Sequence, residues 1–407
     1  MSTLNLDSHR PAFTRDPYPL LAELREAGPV HRVEYLGVPM WLVTRYADVK
    51  AALGNPLVAH DAVNANDDVR KIPLIAHGWS GDLSHHMLFA DAPEHSRMRR
   101  VVNREFTPRR LAALEPRIQQ VTDWLIESIA SQGKADLIED FAAPLPATII
   151  MELLGVPGSD RENFRYWADV VTGVREGDME LLPQMHAEAN AYLRDLIKYK
   201  RTQREAFAGT DLLGALARTS GERLSDVELM AMGWLLLVAG YTTTIDLIGN
   251  GMLALLRNPE QLKLLVSQPE LLDNALEEFL RFDGPTAIPT LRFAKPGLTI
   301  GGVDIPAGDL IALSLASADH DPARFDKPSE LDIARTDRGH VAFGHGVHFC
   351  LGAPLARMEG RIAFRALLAR CRDIKLDMSA SLSWRVSINI RGLRHLPVTF
   401  TPARGGV

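Results

Sequence analysis

A glycine-rich stretch near the C-terminus holds the densest group of side chains capable of chemistry. It reads "HVAFGHGVHFCLGAPLARMEGR", and Gly344, Gly346 and Gly352 surround the single cysteine Cys350. Glycine allows backbone conformations closed to other residues and lets a ligand approach the chain closely. A helix is predicted to begin directly after Cys350. Its dipole and free N–H groups favour a thiolate at that position.

Cys350 has three competing interpretations. A buried apolar cysteine beside a turn is the commonest for an arbitrary cysteine. A zinc site would use His345, His348 and Cys350. His340 could add a fourth ligand, but the spacing matches no recognised zinc pattern, and adjacent loop residues rarely close a tetrahedron. In the third interpretation the thiolate binds a haem iron, and it alone explains the glycines, which let the macrocycle lie against the backbone.

A second unusual stretch, "VAGYTTTIDLIGNG", lies inside a long apolar run that is predicted to form a buried helix. The run begins with a capping box at Ser225 and Glu228 and ends before Pro259. About 32 residues at 1.5 Å each give a helix of about 48 Å, long enough to cross the whole molecule. Glycine and threonine both weaken a helix interior, so their presence here requires a reason.

The remaining elements predict a mainly α architecture with small β-sheets. The periodicity predicts helices over 19–27, across most of 109–280 including 270–282, and over 351–371; a hairpin over 30–45; short strands after Gly284; and a long irregular segment over 54–90. No linker or repeat divides the chain, so one domain over residues 1–407 is expected.

Composition excludes several classes of protein. The chain has 407 residues, of which 46% are hydrophobic and 24% charged, with a net charge of -6, so a nucleic-acid-binding face is not expected. The N-terminus lacks the basic and apolar regions of a secretory signal, and the apolar run 229–241 is too short to cross a bilayer. Two cysteines, Cys350 and Cys371, cannot build a disulfide framework, which favours a reducing cytoplasm.

The segment "FGHGVHFCLG" resembles the haem-binding signature of the cytochrome P450 family. The matching positions are Phe343, Gly344, Gly346, His348, Cys350 and Gly352. Further matches follow in order along the chain, and the resemblance is strongest to the soluble bacterial type. It implies the single-domain fold of that family, with a long central helix over the haem and the thiolate loop before a C-terminal helix. It also implies haem b (iron protoporphyrin IX) as cofactor and Cys350 as its axial ligand.

The resemblance extends to a structural ion pair and to the haem propionates. Glu278 and Arg281 match the family's E-x-x-R pair, which implies a buried lock between a helix and the following meander, with Arg335 as a candidate third member. The segment "APEHSRMRR" matches the propionate-binding segment. The resemblance therefore implies a clamp formed by His95, Arg99, Arg292 and His348, whose guanidinium groups suit carboxylates.

The threonine stretch aligns with the family's oxygen-binding groove. Ala239 and Gly240 are small, which leaves room for dioxygen. Thr243 matches the threonine that hydrogen-bonds bound oxygen and helps to deliver protons, whereas Thr244 is expected to bond the carbonyl one turn back. The acid usual before the catalytic threonine is replaced by Thr242. Asp246, one turn on, or a chain of waters could take over its proton relay.

Function follows from the same resemblance. It implies a monooxygenase that hydroxylates or epoxidises a lipophilic molecule such as a steroid, a macrolide or another secondary metabolite. A pocket is predicted from Leu236, Leu237, Ala239, Ile288 and Ile390, closed by residues 55–90 and by helices over 160–205. Because Thr242 replaces the acid, oxidative coupling and peroxide-driven oxidation stay open as alternatives, as does a non-catalytic binding protein.

Electrons are expected from a separate protein, because the chain carries no dinucleotide, flavin or iron–sulfur motif. The family implies a ferredoxin or flavodoxin with its reductase. These partners are usually acidic, and a basic group could dock them. That group is Arg99, Arg100, Arg104, Arg109 and Arg110. A monomer without membrane or nucleic-acid contacts is expected.

Overall fold

The structure is a computed structural model that describes residues 3–72, 75, 81–171, 178–202, 211–218 and 223–402. Its helices are α1 (Arg10–Arg15), α2 (Tyr18–Ala27), α3 (Tyr46–Leu53), α4 (Asp67–Arg70), α5 (Glu94–Asn103), α6 (Pro108–Ala112), α7 (Glu115–Ala130), α8 (Pro144–Leu154), α9 (Arg161–Val171), α10 (Asp178–Thr202), α11 (Leu212–Arg218), α12 (Asp226–Arg257), α13 (Pro259–Ser267), α14 (Leu272–Asp283), α15 (Leu315–Ala318) and α16 (Ala353–Arg370).

The strands are short and form four small sheets. They are β1 (Leu4–Asn5), β2 (Val30–Tyr35), β3 (Val38–Val43), β4 (Val58–Ala59), β5 (Lys134–Asp136), β6 (Arg292–Ala294), β7 (Leu298–Ile300), β8 (Val303–Ile305), β9 (Leu310–Leu313), β10 (Cys371–Leu376), β11 (Ser383–Trp384), β12 (Leu393–His395) and β13 (Pro397–Pro402). The largest sheet has the order β1-β2-β3-β9-β6-β4, the second has the order β10-β13-β5, and β11-β12 and β7-β8 are two-stranded. The predicted mainly α architecture with small sheets is confirmed.

The central helix α12 has the predicted bounds and the predicted cap. The Ser225 side chain accepts from the Glu228 N–H, and the Glu228 side chain accepts from the Ser225 N–H, so both ends of the capping box are made. The helix runs for 32 residues and is long and apolar enough to cross a membrane, but 72% of its apolar window is buried inside the protein. It is therefore the helix around which the core packs.

Helices α14 and α16 close against the central helix where glycine allows contact. A Cβ at Gly251 of α12 would lie 2.7 Å from the Phe364 ring of α16 and 2.9 Å from the Phe279 ring of α14. Gly360 of α16 is similarly close to Leu247. This packing fixes the position of the C-terminal helix, and hence of the loop that leads into it, relative to the threonine stretch.

The hairpin β2–β3 forms as predicted. Leu36 and Gly37 both take left-handed backbone conformations, with φ of 51° and 74°, as a tight two-residue turn requires. The irregular segment after α3 contains only β4, α4 and single turns among its described residues. It leads from the large sheet to α5, the helix that carries His95 and Arg99.

Candidate active site

The cysteine loop is shaped by two left-handed glycines and one backbone hydrogen bond. Gly344 and Gly346 have φ of 74° and 75°, and a Cβ at Gly346 would lie 3.0 Å from the Leu53 carbonyl oxygen. The Cys350 N–H donates to the Phe343 carbonyl at 2.9 Å, which folds the loop back on itself. Gly352 has an ordinary φ of -78°, so conformation does not explain the glycine there.

Local electrostatics act on the Cys350 thiol in opposite directions. Its side chain is exposed, yet desolvation by the surrounding protein atoms raises its pKa, while the N–H groups of Gly352 and Ala353 and the charges of Arg99 and Arg357 lower it. The N–H groups at the helix start lower the pKa, as expected, but the net shift is upward because desolvation is the larger effect. A bound metal ion deprotonates a coordinating thiol outright, and the backbone donors then stabilise the sulfur's charge.

Three imidazoles stack beside this loop. The His348 ring lies 3.4 Å from the His60 ring, with 11° between their planes, and 4.0 Å from the His95 ring. Burial and neighbouring cations lower the pKa of His348 to about 2 and also lower the pKa values of His60 and His95. The rings are therefore neutral, and His95 Nε2 is buried without a hydrogen-bond partner among the described residues.

Arg292 adds a buried cation, on which the charge of Asp91 acts from beyond ion-pair distance. Arg292 is 4% exposed, and its guanidinium donates to the carbonyl and the hydroxyl of Thr290. No described carboxylate lies within ion-pair distance of it. Burial lowers its pKa to about 9. An unpaired buried charge is costly, so Arg292, His348 and His95 fit a bound dianion such as the two propionates of haem.

Arg99 contacts the cysteine loop itself. Its Nη2 donates to the Phe349 carbonyl at 2.8 Å, and its Nε donates to Asn103. This bond anchors helix α5 to the residue before Cys350. Phe343 lies on the other side of the loop, where the Arg357 guanidinium covers its ring at 4.5 Å.

The middle of the central helix opens to solvent at one point. Ala239 is exposed, and its neighbours Val238 and Gly240 are half-buried, as is Thr243 one turn on. The Thr243 hydroxyl donates to the Ala239 carbonyl at 2.7 Å. Gly240 faces elsewhere, because its Cβ would lie 3.0 Å from Ile150 of α8. Its small size serves helix packing, and the room that it leaves for dioxygen stays a prediction.

Thr244 was expected to bond a carbonyl one turn back, and this is wrong. Its hydroxyl pairs with the carboxyl of Glu359, which is 2% exposed and lies in α16. Glu359 stands six residues after Ala353, about 9 Å along the helix. The threonine stretch and the start of the cysteine-loop helix are thus joined by one side-chain contact. Thr242 is buried, and its hydroxyl has no partner among the described residues.

Asp246 is not an isolated acid, because it forms an ion pair. It is fully buried and paired with the guanidinium of Arg385 near the C-terminal strands, while its Oδ2 has no partner among the described residues. Burial raises its pKa to about 7 despite the cation. It shares a helix face with Thr243 and Ala239, as the i, i+4 and i+7 spacing from Ala239 dictates.

The E-x-x-R pair is buried as predicted. Arg281 Nε and Nη2 donate to the two oxygens of Glu278, each at 2.8 Å, and the side chains are 1% and 2% exposed. Arg335 Nε donates to the same carboxylate at 3.1 Å. Arg281 also donates to the carbonyls of Asp319, Pro328 and Glu330, which ties α14 to the meander. The geometry of a three-member cluster is therefore present.

The predicted pocket residues do not surround a single cavity. Ile288 and Ile390 line one narrow cavity. Leu237 is 2% exposed and packs in the main core, on the helix face opposite Ala239, so its assignment to the pocket is wrong. Leu236 shares the face of Ala239 and Thr243. Parts of the predicted lid, residues 73–74, 76–80, 172–177 and 203–205, lie outside the described residues.

Zinc has no support in the described part of the chain. No group of three or more His, Cys, Asp or Glu side chains there could hold a metal ion. His340 Nε2 lies 3.1 Å from the Glu277 carboxylate, and His345 is exposed. The residues that the sequence did not single out are His60 and Glu359. Glu359 lies in the cysteine stretch but outside the positions that match the family signature, and His60 lies in no motif. Their buried, long-range contacts indicate a role.

Comparison with known proteins accounts for these features together. The cytochrome P450 family model matches residues 13–165 and 264–378. The chain is 46% identical over 399 residues to the cytochrome P450 monooxygenase PikC of Streptomyces venezuelae, covering 96% of this chain and 93% of PikC. It is 38% identical to 6-deoxyerythronolide B hydroxylase of Saccharopolyspora erythraea, over 96% of this chain and 98% of that enzyme. The tirandamycin C-bound structure of the P450 monooxygenase TamI matches with a TM-score of 0.87 and 39% identity, over 98% of this chain and 100% of that one.

Proposed function

The chain belongs to the cytochrome P450 family and is a haem-thiolate monooxygenase, and we propose that it holds haem b and oxidises a macrolide or a related lipophilic polyketide. The full-length similarity to PikC and to 6-deoxyerythronolide B hydroxylase supports the substrate class. One arrangement supports haem as the cofactor. The cysteine loop lies beside the stacked imidazoles and beside Arg292, which is buried and forms no ion pair with a described carboxylate. We further propose a single catalytic domain that works as a cytoplasmic monomer.

The residues of the cysteine loop and the imidazole group would hold the haem. Haem supplies an iron that binds and activates dioxygen when its axial ligand is an electron-rich thiolate. Cys350 would provide that ligand. Arg292, His95 and His348 would neutralise the propionates, and Arg99 would fix the loop through Phe349. These contacts would hold the macrocycle, and Thr243 would be the side chain that positions a proton for the reaction.

Two proton routes are open to the Thr243 hydroxyl. One begins at Glu359, which is buried, is not paired with any cation in the described part of the chain, and contacts Thr244. Burial raises the Glu359 pKa to about 8, so this carboxyl still carries its proton at neutral pH. The other begins at Asp246, whose proton is opposed by the charge of Arg385. We favour Glu359, because its carboxyl contacts a threonine side chain of the stretch, that of Thr244.

A basic surface lies beside the cysteine loop and would receive the electron donor. The bond from Arg99 to Phe349 places helix α5 against the loop, and Arg100, Arg104 and Arg109 are exposed on or after that helix. Val347 and Phe349 of the loop are 70% and 42% exposed, which adds an apolar contact area. A small acidic ferredoxin or flavodoxin, with its reductase, is the partner that this surface suits.

Labelled dioxygen tests the reaction and the substrate class together. The purified enzyme, a ferredoxin and a reductase are incubated under ¹⁸O₂ with panels of macrolides, linear polyketides and steroids. We expect one ¹⁸O atom in a macrolide or polyketide product. The alternative of oxidative coupling, which the replacement of the usual acid by Thr242 favours, predicts product without label. Peroxide-driven oxidation predicts turnover with peroxide and none with the redox partners.

Replacing Thr243 by alanine is expected to lower the product formed per electron pair by at least about tenfold, because a positioned proton-transfer group typically contributes 10²–10⁴-fold to its step. Electron consumption should continue, and substrate binding, followed by the spectral shift, should stay unchanged. Thr243→Ser keeps the hydroxyl and is the matched control. Equal coupling in Thr243→Ala and wild type would remove the proton-delivery role from this side chain.

Glu359→Gln is expected to lower coupling several-fold and to remove a pH dependence. With a pKa of about 8, the wild-type carboxyl holds its proton below that pH and loses it above, so wild-type coupling should fall as the pH rises through 8. Glutamine keeps the contact with Thr244 but has no proton to release, so its coupling should be low and flat. A glutamine variant with the wild-type pH profile would favour the Asp246 route.

A further inference from the structure

His60 connects three separate parts of the chain at the edge of the imidazole group. It follows strand β4, is 5% exposed, and stacks on His348 of the cysteine loop at 3.4 Å. Its backbone N–H donates to Asp91 at 2.9 Å, and its ring Nδ1 lies 2.8 Å from the Leu88 carbonyl oxygen. The ring is buried and is held by strand β4, by the loop with Leu88 and Asp91 and by His348 of the cysteine loop, so it has little rotational freedom.

The bond to Leu88 fixes which ring nitrogen carries hydrogen. A carbonyl oxygen only accepts, so Nδ1 must donate and therefore bears the proton of the neutral ring. Nε2 is then left as an acceptor, and no described residue forms a hydrogen bond to it. A second proton, taken from solvent, would turn Nε2 into a donor and the ring into a cation.

The charges around His60 favour that second proton only when an anion is present. The ring faces Arg292, His348 and His95, all of which disfavour an added positive charge. Asp91 is the acid on the neighbouring loop, and its oxygens accept from the N–H groups of His60 and Asp61 and from Asn64. A bound dianion would reverse this balance, because a charge-assisted bond to a carboxylate is stronger than a neutral one.

We propose that His60 is a third imidazole of the propionate clamp, taking up a proton and donating from Nε2 to a haem propionate while Leu88 holds Nδ1. The proposal rests on the assignment of Arg292, His95 and His348 to the propionates. It adds a residue that binds the cofactor and that lies 288 positions from His348 along the chain, outside every motif. Haem uptake then requires one proton from solvent at this ring.

Asparagine and glutamine separate the two ring nitrogens. In His60→Asn the amide stands where Nδ1 was and can keep the bond to Leu88, whereas in His60→Gln it reaches the level of Nε2. His60→Phe keeps the stack on His348 and neither nitrogen. The holoenzymes are mixed with excess apomyoglobin, and the rate of haem transfer is followed in the Soret region. The propionate bending band in the resonance Raman spectrum is the second readout.

We expect His60→Asn and His60→Phe to lose haem roughly 10- to 100-fold faster than wild type, the fold-change that corresponds to one hydrogen bond to a charged group. His60→Gln should lie closer to wild type, and the Raman band should shift in Asn and Phe only. Haem loss from wild type should also quicken as the pH rises, with this step missing in His60→Phe.

Three results would overturn the proposal. Wild-type haem retention in His60→Asn, with loss in Gln and Phe, would show that His60 only tethers the loop through Leu88. Wild-type retention in His60→Phe would show that stacking alone matters. Equal retention in all variants would remove His60 from the clamp. Failure of the proposed function is distinguishable, because then wild type itself would not take up haem with a thiolate-type spectrum.

Discussion

Cys350→Ser is expected to abolish the strongly red-shifted Soret band of the reduced carbon monoxide complex and to lower turnover by at least about 10³-fold, equivalent to about 4 kcal/mol in the barrier. Serine has nearly the shape of cysteine, so the loop held by the Phe343 carbonyl and the two left-handed glycines should persist. What is lost is the soft, electron-rich sulfur that activates bound oxygen through the iron. The difference spectrum and a product assay measure the two effects.

Cys371→Ala provides the matched control. Cys371 is the other cysteine of the chain, is 2% exposed and lies in the main core, where burial raises its pKa to about 11. Its thiol packs as a small apolar group. The alanine variant should therefore keep the spectrum and most of the turnover. A red-shifted band that survived in Cys350→Ser, or an iron ligated by imidazole in wild type, would contradict the assignment.

The parts of the site that the sequence predicted share one property: each depends on neighbours close in the chain. The capping box spans Ser225 to Glu228, and the loop glycines stand within six positions of Cys350. Local spacing dictates these features, and the E-x-x-R pair is one helical turn. The resemblance then gave their order along the chain, and the family comparisons confirmed the fold that it implied.

The parts that the sequence missed depend on which way a helix or strand faces. Gly240 was predicted to leave room for dioxygen, but a Cβ added there would point at Ile150 of another helix. The Thr244 hydroxyl was predicted to bond a carbonyl of its own helix, but it bonds the carboxyl of Glu359, 115 positions away in the sequence. Helix rotation is set by tertiary packing, and neither Glu359 nor His60 has a periodic or motif signal of its own. Such contacts appear only when the elements are assembled.

Glu278→Gln is expected to destabilise the protein by about 3–5 kcal/mol, the usual cost of removing one partner of a buried ion pair. Glutamine has the same size as glutamate but leaves the buried guanidinium of Arg281, and that of Arg335, without their shared negative charge. The cost is a large part of the 5–15 kcal/mol that typically separates folded from unfolded states. Urea unfolding of the two purified proteins measures the difference.

Glu330→Gln is the control that isolates burial. Glu330 pairs with Lys327 at 3.5 Å in the same meander, but the two side chains are 66% and 67% exposed. Exposed pairs contribute about 0–1 kcal/mol, so this variant should unfold near the wild-type midpoint. Arg281 also donates to the Asp319 and Pro328 carbonyls and so holds the meander that leads to Cys350. The Glu278 variant should therefore lose haem before it unfolds fully. Equal midpoints for the two variants would mean that the buried cluster does not stabilise the meander that leads to Cys350.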